Sequence, residues 1–296
     1  NFVKLLYQLR KQFGNQLIIH THLTWALYLT FIIKIFIKFR HIHTEHSVTS
    51  RRRKIWFKNF EILVYRSLEA VTYVSEAAKV SLEKWVGVRN IHRSSVIYNL
   101  FDLSSFPIKN SSNSPRIRFL SVGRLVESKG FDRTIRAFSN LKDLNYEYHI
   151  VGEGDDDKRL KSLIKECALG DRIFIHPWTN DVLQFYSTSD VLLIPSKFES
   201  FGLVSLEAQA CGLHVLAADI NGLCETAVVE RLFHTISDPD NINSWETAIK
   251  NVSGLSRVRS LSEEELITFD RFSCDAIMSE YWKIYAEVVS EHKFYK

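Results

Sequence analysis

Two glutamates in an E-x7-E spacing, Glu199 and Glu207, bracket the stretch "ESFGLVSLE". A carboxylate accepts hydrogen bonds only, so a pair of them suits the hydroxyls of a sugar or the diol of a ribose. Between them, Gly202 lets the main chain come close to a ligand, and the amides of Phe201, Gly202 and Leu203 can then face a sugar or phosphate oxygen. A second stretch, "SVGRLVESKG", ends an apolar run at Gly123, places Arg124 at once after it and Lys129 just ahead of the helical pattern "FDRTIRAFSNL". Two cations beside a helix N-terminus make a clamp for a diphosphate, because the unpaired N–H groups there already favour anions. Gly152 closes a third apolar run, "YEYHIVGEG", and joins this candidate binding set.

Other residues could do different chemistry. Asp155, Asp156 and Asp157 have the look of a D-x-D metal site, although acids that open a helix also simply complement its dipole. His20 and His22 in "IIHTH", with His41, His43 and His46 in "HIHTEH", allow a zinc site to be imagined. No downstream set of Asp, Lys and His completes it, and a strand-terminal histidine serves equally as a hydrogen-bonding core residue. The run Arg51, Arg52, Arg53, Lys54, followed by Ile55, Trp56 and Phe57, is a candidate contact for a lipid head group or phosphate, or else a solvated helix start.

Elements that would position these residues alternate along the chain as short apolar runs and helical patterns, the signature of βαβ units and parallel sheets. A first set has strands at "QLIIH", "FRHIHTEH", "AVTYVS" and "SSVIYN", with helices around 23–37, 54–67 and 76–85. The Ser-, Asn- and Pro-containing segment Ser104 to Pro115 reads as a linker. A second set follows at "RIRFLSVGRL", "YEYHIVGEG", "DRIFIHPW", "DVLLIPS" and "LHVLAAD", with unbroken apolar runs expected of strands covered on both faces. Residues 275–291 form a last amphipathic helix. The expected domains are thus 1–106, 115–274 and a closing helix within 275–296.

With 296 residues, 46% of them hydrophobic, the chain can bury two cores. Its four cysteines lie far apart and form no C-x-x-C pair, which points away from a disulfide framework and towards a reducing compartment. Leu23 to Ile33 is the longest strongly apolar stretch; it is too short to span a membrane and is expected as a buried helix. Residues 1–107 hold 16 Lys and Arg against 6 Asp and Glu, a net of +10, which marks a face for anions such as a phospholipid surface or a phosphorylated substrate. Asn1 opens the chain without a signal-peptide pattern and inside a helical pattern, so a preceding segment is expected.

Taken together, "GRLVESKGFDRTIRAF", "YHIVGEGDDDKRLKSLI" and "IFIHPWTNDVLQFYSTSDVLLIPSKFESFGLVSLEAQACG" closely resemble the retaining, nucleotide-sugar-dependent glycosyltransferases of family four, strongly over about 115–230 and more faintly over 16–106. The resemblance implies an α/β protein of the GT-B fold, two facing Rossmann-like domains with parallel sheets, the N-terminal one incomplete. It implies that Arg124 and Lys129 hold the donor diphosphate, Glu199 contacts the transferred sugar, Glu207 binds the ribose, and Phe201 to Leu203 supply the backbone between them. His22 matches the histidine that reaches the sugar near the reacting carbon, and "FDRFSCDAIMSEYWKIY" looks like the family's closing helix. Asn221 stands where the family often has the first of two glycines, "YNLF" replaces a commoner Pro-Asn-Gly turn, and His214 takes a frequent proline position.

The implied activity is transfer of a hexosyl group from a nucleoside diphosphate sugar, UDP by family preference, to a hydroxyl of a saccharide or lipid-linked saccharide, without a metal or other cofactor. Its implied setting is cytoplasmic, at the inner face of a membrane that the basic N-terminal part touches, with no nucleic acid as partner. One alternative is a nucleotide-sugar-binding module without turnover. A Rossmann oxidoreductase is another, but "VGEGDDDK" lacks the last glycine of G-x-G-x-x-G.

Overall fold

The computed structural model describes residues 2–49, 53–107, 116–255, 257–258 and 260–290. They form two compact units, Asn1–Leu100 with Cys274–Lys296, and Phe101–Ser273. The division falls at Leu100, ahead of the expected linker, where Leu103–Ser105 makes a 3-10 turn capped by Asp102; residues 108–115 of that linker lie outside the described residues.

In chain order the first unit contributes α1 (Phe2–Phe13), β1 (Ile18–His22), α2 (Thr24–Phe36), β2 (Arg40–Glu45), α3 (Lys58–Arg66), β3 (Ala70–Tyr73), α4 (Glu76–Val86) and β4 (Ser94–Val96). Its four strands pair in parallel in the order β1-β2-β3-β4. Central β2, "RHIHTE", is buried at every position although it is mostly polar, which is tolerable only because its side chains find partners. His41 Nε2 and His43 Nδ1 lie 2.8 and 3.1 Å from Thr21 Oγ1, Thr44 Oγ1 lies 2.7 Å from Thr72 Oγ1, and the Tyr65 hydroxyl donates to Glu45 at 3.0 Å.

The second unit runs β5 (Ile117–Val122), α5 (Phe131–Ser139), β6 (Tyr146–Val151), α6 (Asp157–Glu166), β7 (Ile173–His176), α7 (Leu183–Thr188), β8 (Val191–Ile194), α8 (Leu203–Ala210), β9 (His214–Ala218), α9 (Asn221–Cys224), β10 (Phe233–Ile236), α10 (Ile242–Ser253) and α11 (Glu263–Ile267). The six strands are parallel in the order β10-β9-β8-β5-β6-β7. Neighbours along a strand point to opposite faces, so Phe119 joins one core with Phe138, Tyr146 and Trp245 while Leu120 joins the other with Tyr186, Leu192 and Val215. From β5 the chain winds outwards through β6 and β7, then returns to β8 on the other side. Strand order therefore reverses between β5 and β8, the crevice where open parallel sheets bind ligands.

A final helix, α12 (Cys274–Ser290), belongs to the first unit, where Ile277, Ile284 and Val288 pack with Ile42, Ala70 and Ile97. Two expectations need correction. β10 has no counterpart in the sequence reading, because this half-exposed edge strand of four residues, "FHTI", lacks an unbroken apolar run. And α2 is a helix, as expected, but only its inner side is buried.

Candidate functional site

Three loops at the carboxyl ends of β5, β6 and β8 are laced together, and the lacing explains which side chains meet. After β5 the chain makes a 3-10 turn at Glu127–Lys129 and enters α5 through Gly130, whose φ of 67° is left-handed. A side chain on Gly130 would strike the carbonyl of Pro195 in the loop after β8. The same two loops share the Lys197 amide donating to the Ser128 carbonyl at 2.8 Å, an Arg133 bond to the Pro195 carbonyl at 3.1 Å and a Lys197–Glu127 ion pair at 2.8 Å. Held this way, Lys129 Nζ reaches Glu199 Oε2 at 2.5 Å, both side chains being about four-fifths buried at 21% and 16% exposure. Ser196 Oγ lies 3.5 Å from the same oxygen.

On the other side of β5, the strand ends approach so closely that a side chain on Gly152 would overlap the Gly123 carbonyl. The Leu125 amide donates to the Glu153 carbonyl at 2.8 Å and the Asp156 amide to the Leu125 carbonyl at 2.9 Å. A cavity of about 500 Å³ opens at these ends, walled by Gly123, Arg124, Gly152, Trp178, Val204 and Glu207 among others. The Arg124 side chain is exposed and makes no hydrogen bond or ion pair among the described residues, while its carbonyl accepts from the Val126 amide at 2.9 Å. Although Lys129 is not part of that wall, its Cε would lie 3.6 Å from a Cβ on Gly123, so the lysine stem runs over the glycine that is.

Helix α8 begins at Gly202, left-handed with a φ of 87°, and a Cβ there would press on Leu223 of α9. Phe201 turns its side chain inwards, 2% exposed and edge-on to Phe272 at 5.5 Å. One turn into α8, Glu207 accepts a 2.5 Å hydrogen bond from the fully buried Tyr186 hydroxyl of α7. Burial raises the Glu207 pKa above the ordinary carboxylate range, and the Tyr186 bond offsets part of that rise. Tyr186 in turn is held well above its usual range by burial and by the neighbouring carboxylate. At α9, Gly222 packs so tightly on the Glu199 carbonyl that only a glycine fits, whereas Asn221 is exposed.

Of the expected residues, then, Gly123, Arg124, Gly152 and Glu207 share one cavity, Lys129 and Glu199 form an ion pair beside it, and Phe201, Gly202 and Leu203 lead into the helix that carries Glu207. His22 lies in the other unit at the end of β1, stacked on His20 at 4.5 Å, with Nδ1 2.9 Å from His46 Nε2. Burial lowers the pKa of both His22 and His46 and brings His20 to about 4. The acids opening α6 are engaged locally: Asp156 with Arg159 at 2.5 Å and Asp157 with Lys161 at 2.9 Å. Arg53 bonds the Val48 carbonyl and Ser81 Oγ, while Arg51 and Arg52 of the basic run lie outside the described residues. Sequence reasoning missed Tyr186, Trp178, Gly130 and Gly222. The glycines were visible as residues but their close contacts, 65 and 23 positions distant in sequence, were not.

A doubly wound parallel sheet with a cavity at its switch point defines a Rossmann-like class, here with a second parallel α/β unit. The chain belongs to the glycosyl transferases group 1, whose model matches residues 105–257, and residues 1–105 match that of glycosyltransferase family 4. An uncharacterized glycosyltransferase of Haemophilus influenzae is 38% identical over 100 residues, 33% of this chain and 28% of that protein. A D-inositol 3-phosphate glycosyltransferase of Salinispora tropica is 33% identical over 186 residues, 58% of this chain and 38% of that protein. These alignments thus span well under half of the relatives' own length. Among solved structures, sucrose-phosphate synthase of Thermosynechococcus elongatus superposes with a TM-score of 0.81 at 22% identity, over 98% of this chain and 78% of that one. HepE of Anabaena in complex with UDP-glucose gives 0.72 at 20% identity, over 97% and 82%. The shared fold is GT-B.

Proposed function

We propose that this chain transfers a hexosyl group from a nucleoside diphosphate sugar, a UDP-sugar in the first instance, to a hydroxyl of a saccharide or lipid-linked saccharide, with the anomeric configuration retained. The observation that carries the reading is the cavity at the strand-order switch point, where Arg124 and Glu207 share one wall. Solved neighbours crystallised with UDP and with UDP-glucose support the choice of donor.

In this reading Glu207 accepts from the ribose diol, oriented by Tyr186, and Trp178 offers an apolar face, 63% exposed, to the base. Arg124, Lys129 and the start of α8 stabilise charge developing on the departing diphosphate, an electrostatic task that calls for no divalent metal. Glu199 takes a sugar hydroxyl while its salt bridge fixes the Lys129 ammonium near the phosphates. The bond from the anomeric carbon to the diphosphate breaks, the acceptor oxygen bonds to that carbon from the same face, and its proton passes to the departing phosphate oxygen. His22 is assigned contact with the transferred sugar on the strength of the family resemblance alone.

The test is release of UDP from UDP-sugars in the presence of saccharide acceptors and EDTA, with the product anomer read by NMR. Retained configuration and a His22→Ala variant that loses turnover but not UDP affinity are expected. Inverted product, or transfer abolished by EDTA and restored by metal, would overturn the mechanism; UDP binding without transfer to any acceptor would leave a binding module.

A further inference from the structure

Arg257 does not line the cavity, yet both partners of the hydrogen bond between Tyr186 and Glu207 lead to it. Its Nη1 donates to the Ser187 carbonyl at 2.7 Å, and its Nη2 to the carbonyls of Tyr186 at 3.2 Å and Cys211 at 2.9 Å. Tyr186 and Ser187 stand in the last turn of α7, and Cys211 caps the C-terminus of α8. Carbonyls at a helix end have no donor within the helix and carry its negative pole, so a cation is favoured there. One guanidinium can serve two helices because its N–H groups fan out in a rigid plane, which a lysine ammonium does not copy.

The two helices need such a tie. Six residues make α7 too short to hold itself, and its N-terminus has no side-chain cap. The hydroxyls of Ser187 and Thr188 both donate to the Gln184 carbonyl at 2.9 Å, while the carbonyls of Tyr186 and Ser187 go to Arg257. The Val258 amide donates to the Gly212 carbonyl at 3.2 Å, which fixes the main chain next to the arginine against the end of α8. Among the described residues no carboxylate pairs with this guanidinium, and its buried Nε finds no partner, so its hydrogen bonds go to the two helix ends alone. From there the site is one link away on each side. Tyr186 gives Arg257 its carbonyl and Glu207 its hydroxyl, while the Cys211 amide donates to the Glu207 carbonyl at 3.1 Å. A slip of α7 against α8 would therefore break the bond that aims the carboxylate.

We propose that Arg257 is a positioning residue for the donor nucleotide: by locking the ends of α7 and α8 together it aims the Glu207 carboxylate, through Tyr186, at the ribose hydroxyls. This rests on the assignment of Glu207 to the ribose. A site that hydrogen-bonds a hydroxyl rejects the analogue lacking it, so the experiment is calorimetric titration of the full chain with UDP and with 2′-deoxy-UDP, where the parent protein should prefer UDP about tenfold. The variants are Arg257→Met, Arg257→Lys, Glu207→Gln and the double variant Arg257→Met/Glu207→Gln, each checked by circular dichroism. Arg257→Met should lose about fivefold or more in affinity for UDP and less than about twofold for 2′-deoxy-UDP, and the double variant should bind UDP no more weakly than Glu207→Gln, because both changes remove one interaction. Arg257→Lys keeps the charge without the fork and should lose about twofold or more for UDP alone, which carries the test if Arg257→Met does not fold. Equal losses for the two nucleotides, unchanged affinity in the folded variants, or additive losses in the double variant would overturn the proposal while the ribose assignment stands. A parent protein that does not bind UDP, or binds both nucleotides equally, would overturn the ribose assignment and the proposal together.

Discussion

Glu207 carries an energetic cost that its surroundings only partly offset, and that cost makes its role measurable. Because burial raises its pKa in the fold, the unfolded chain ionises first as pH rises, and the folded state loses stability until the raised pKa is passed. Glu207→Gln keeps an acceptor for Tyr186 and removes the charge. It should melt higher than the parent protein at pH 7 to 8, with the gap closing as pH falls below the carboxylate range, while UDP affinity drops about tenfold, ~1.4 kcal/mol. A lower melting point for the variant at pH 8 would contradict this account of the site. Tyr186→Phe should weaken UDP less than Glu207→Gln and destabilise the protein, since it leaves a buried carboxylate without its donor. The histidines of β1 and β2 run the opposite way. Burial lowers His20 to about 4 and His41 to about 3, and His43 well below its ordinary value, so they fold neutral and contribute stability above pH 6.5 that is lost as pH falls towards those values. Thermal melts should fall steadily from pH 6.5 to 4, with a shallower slope in His43→Asn.

At the scale of elements, loops rather than strands set the geometry, and glycines set the loops. Gly130→Ala forces a left-handed residue against the Pro195 carbonyl, pushing apart the loops that bring Lys129 to Glu199. A loss of about 2 kcal/mol or more in denaturant unfolding is expected, with weaker UDP binding. Gly222→Ala moves the Glu199 backbone instead, so turnover should fall further than UDP affinity. Much of this was legible in sequence and some was not. Strands such as "DVLLIPS" and "LHVLAAD" announce themselves because both faces are covered and the apolar run is unbroken, and "GR" and "SKG" stand where a strand hands over to a helix. β10 escapes because an edge strand need not be apolar. The Lys129–Glu199 pair and the Tyr186–Glu207 bond join residues 70 and 21 positions apart, contacts made by sheet order rather than by any local pattern. The outer face of α2 was misread for a physical reason as well: an apolar sequence reports what a helix prefers to touch, not whether this chain supplies it.

For the whole molecule, the two units divide the work along lines that the charge distribution already draws. The basic first unit buries its polar strand β2 through side-chain pairing and presents an apolar helix, while the second unit holds the cavity. Hydrogen exchange should therefore slow on adding UDP in 123–130, 152–156 and 199–207 and stay unchanged in β2 and β3 of the first unit. The most direct test of the central claim, that a nucleoside diphosphate is held by the cations and helix start at the carboxyl ends of β5 and β8, is a calorimetric titration of UDP into the full chain and its Arg124→Ala, Lys129→Ala and Glu207→Ala variants. One site per chain, weakened at least tenfold in each variant, is the predicted result. No heat of binding in the parent protein, or equal affinity in all four, would contradict it.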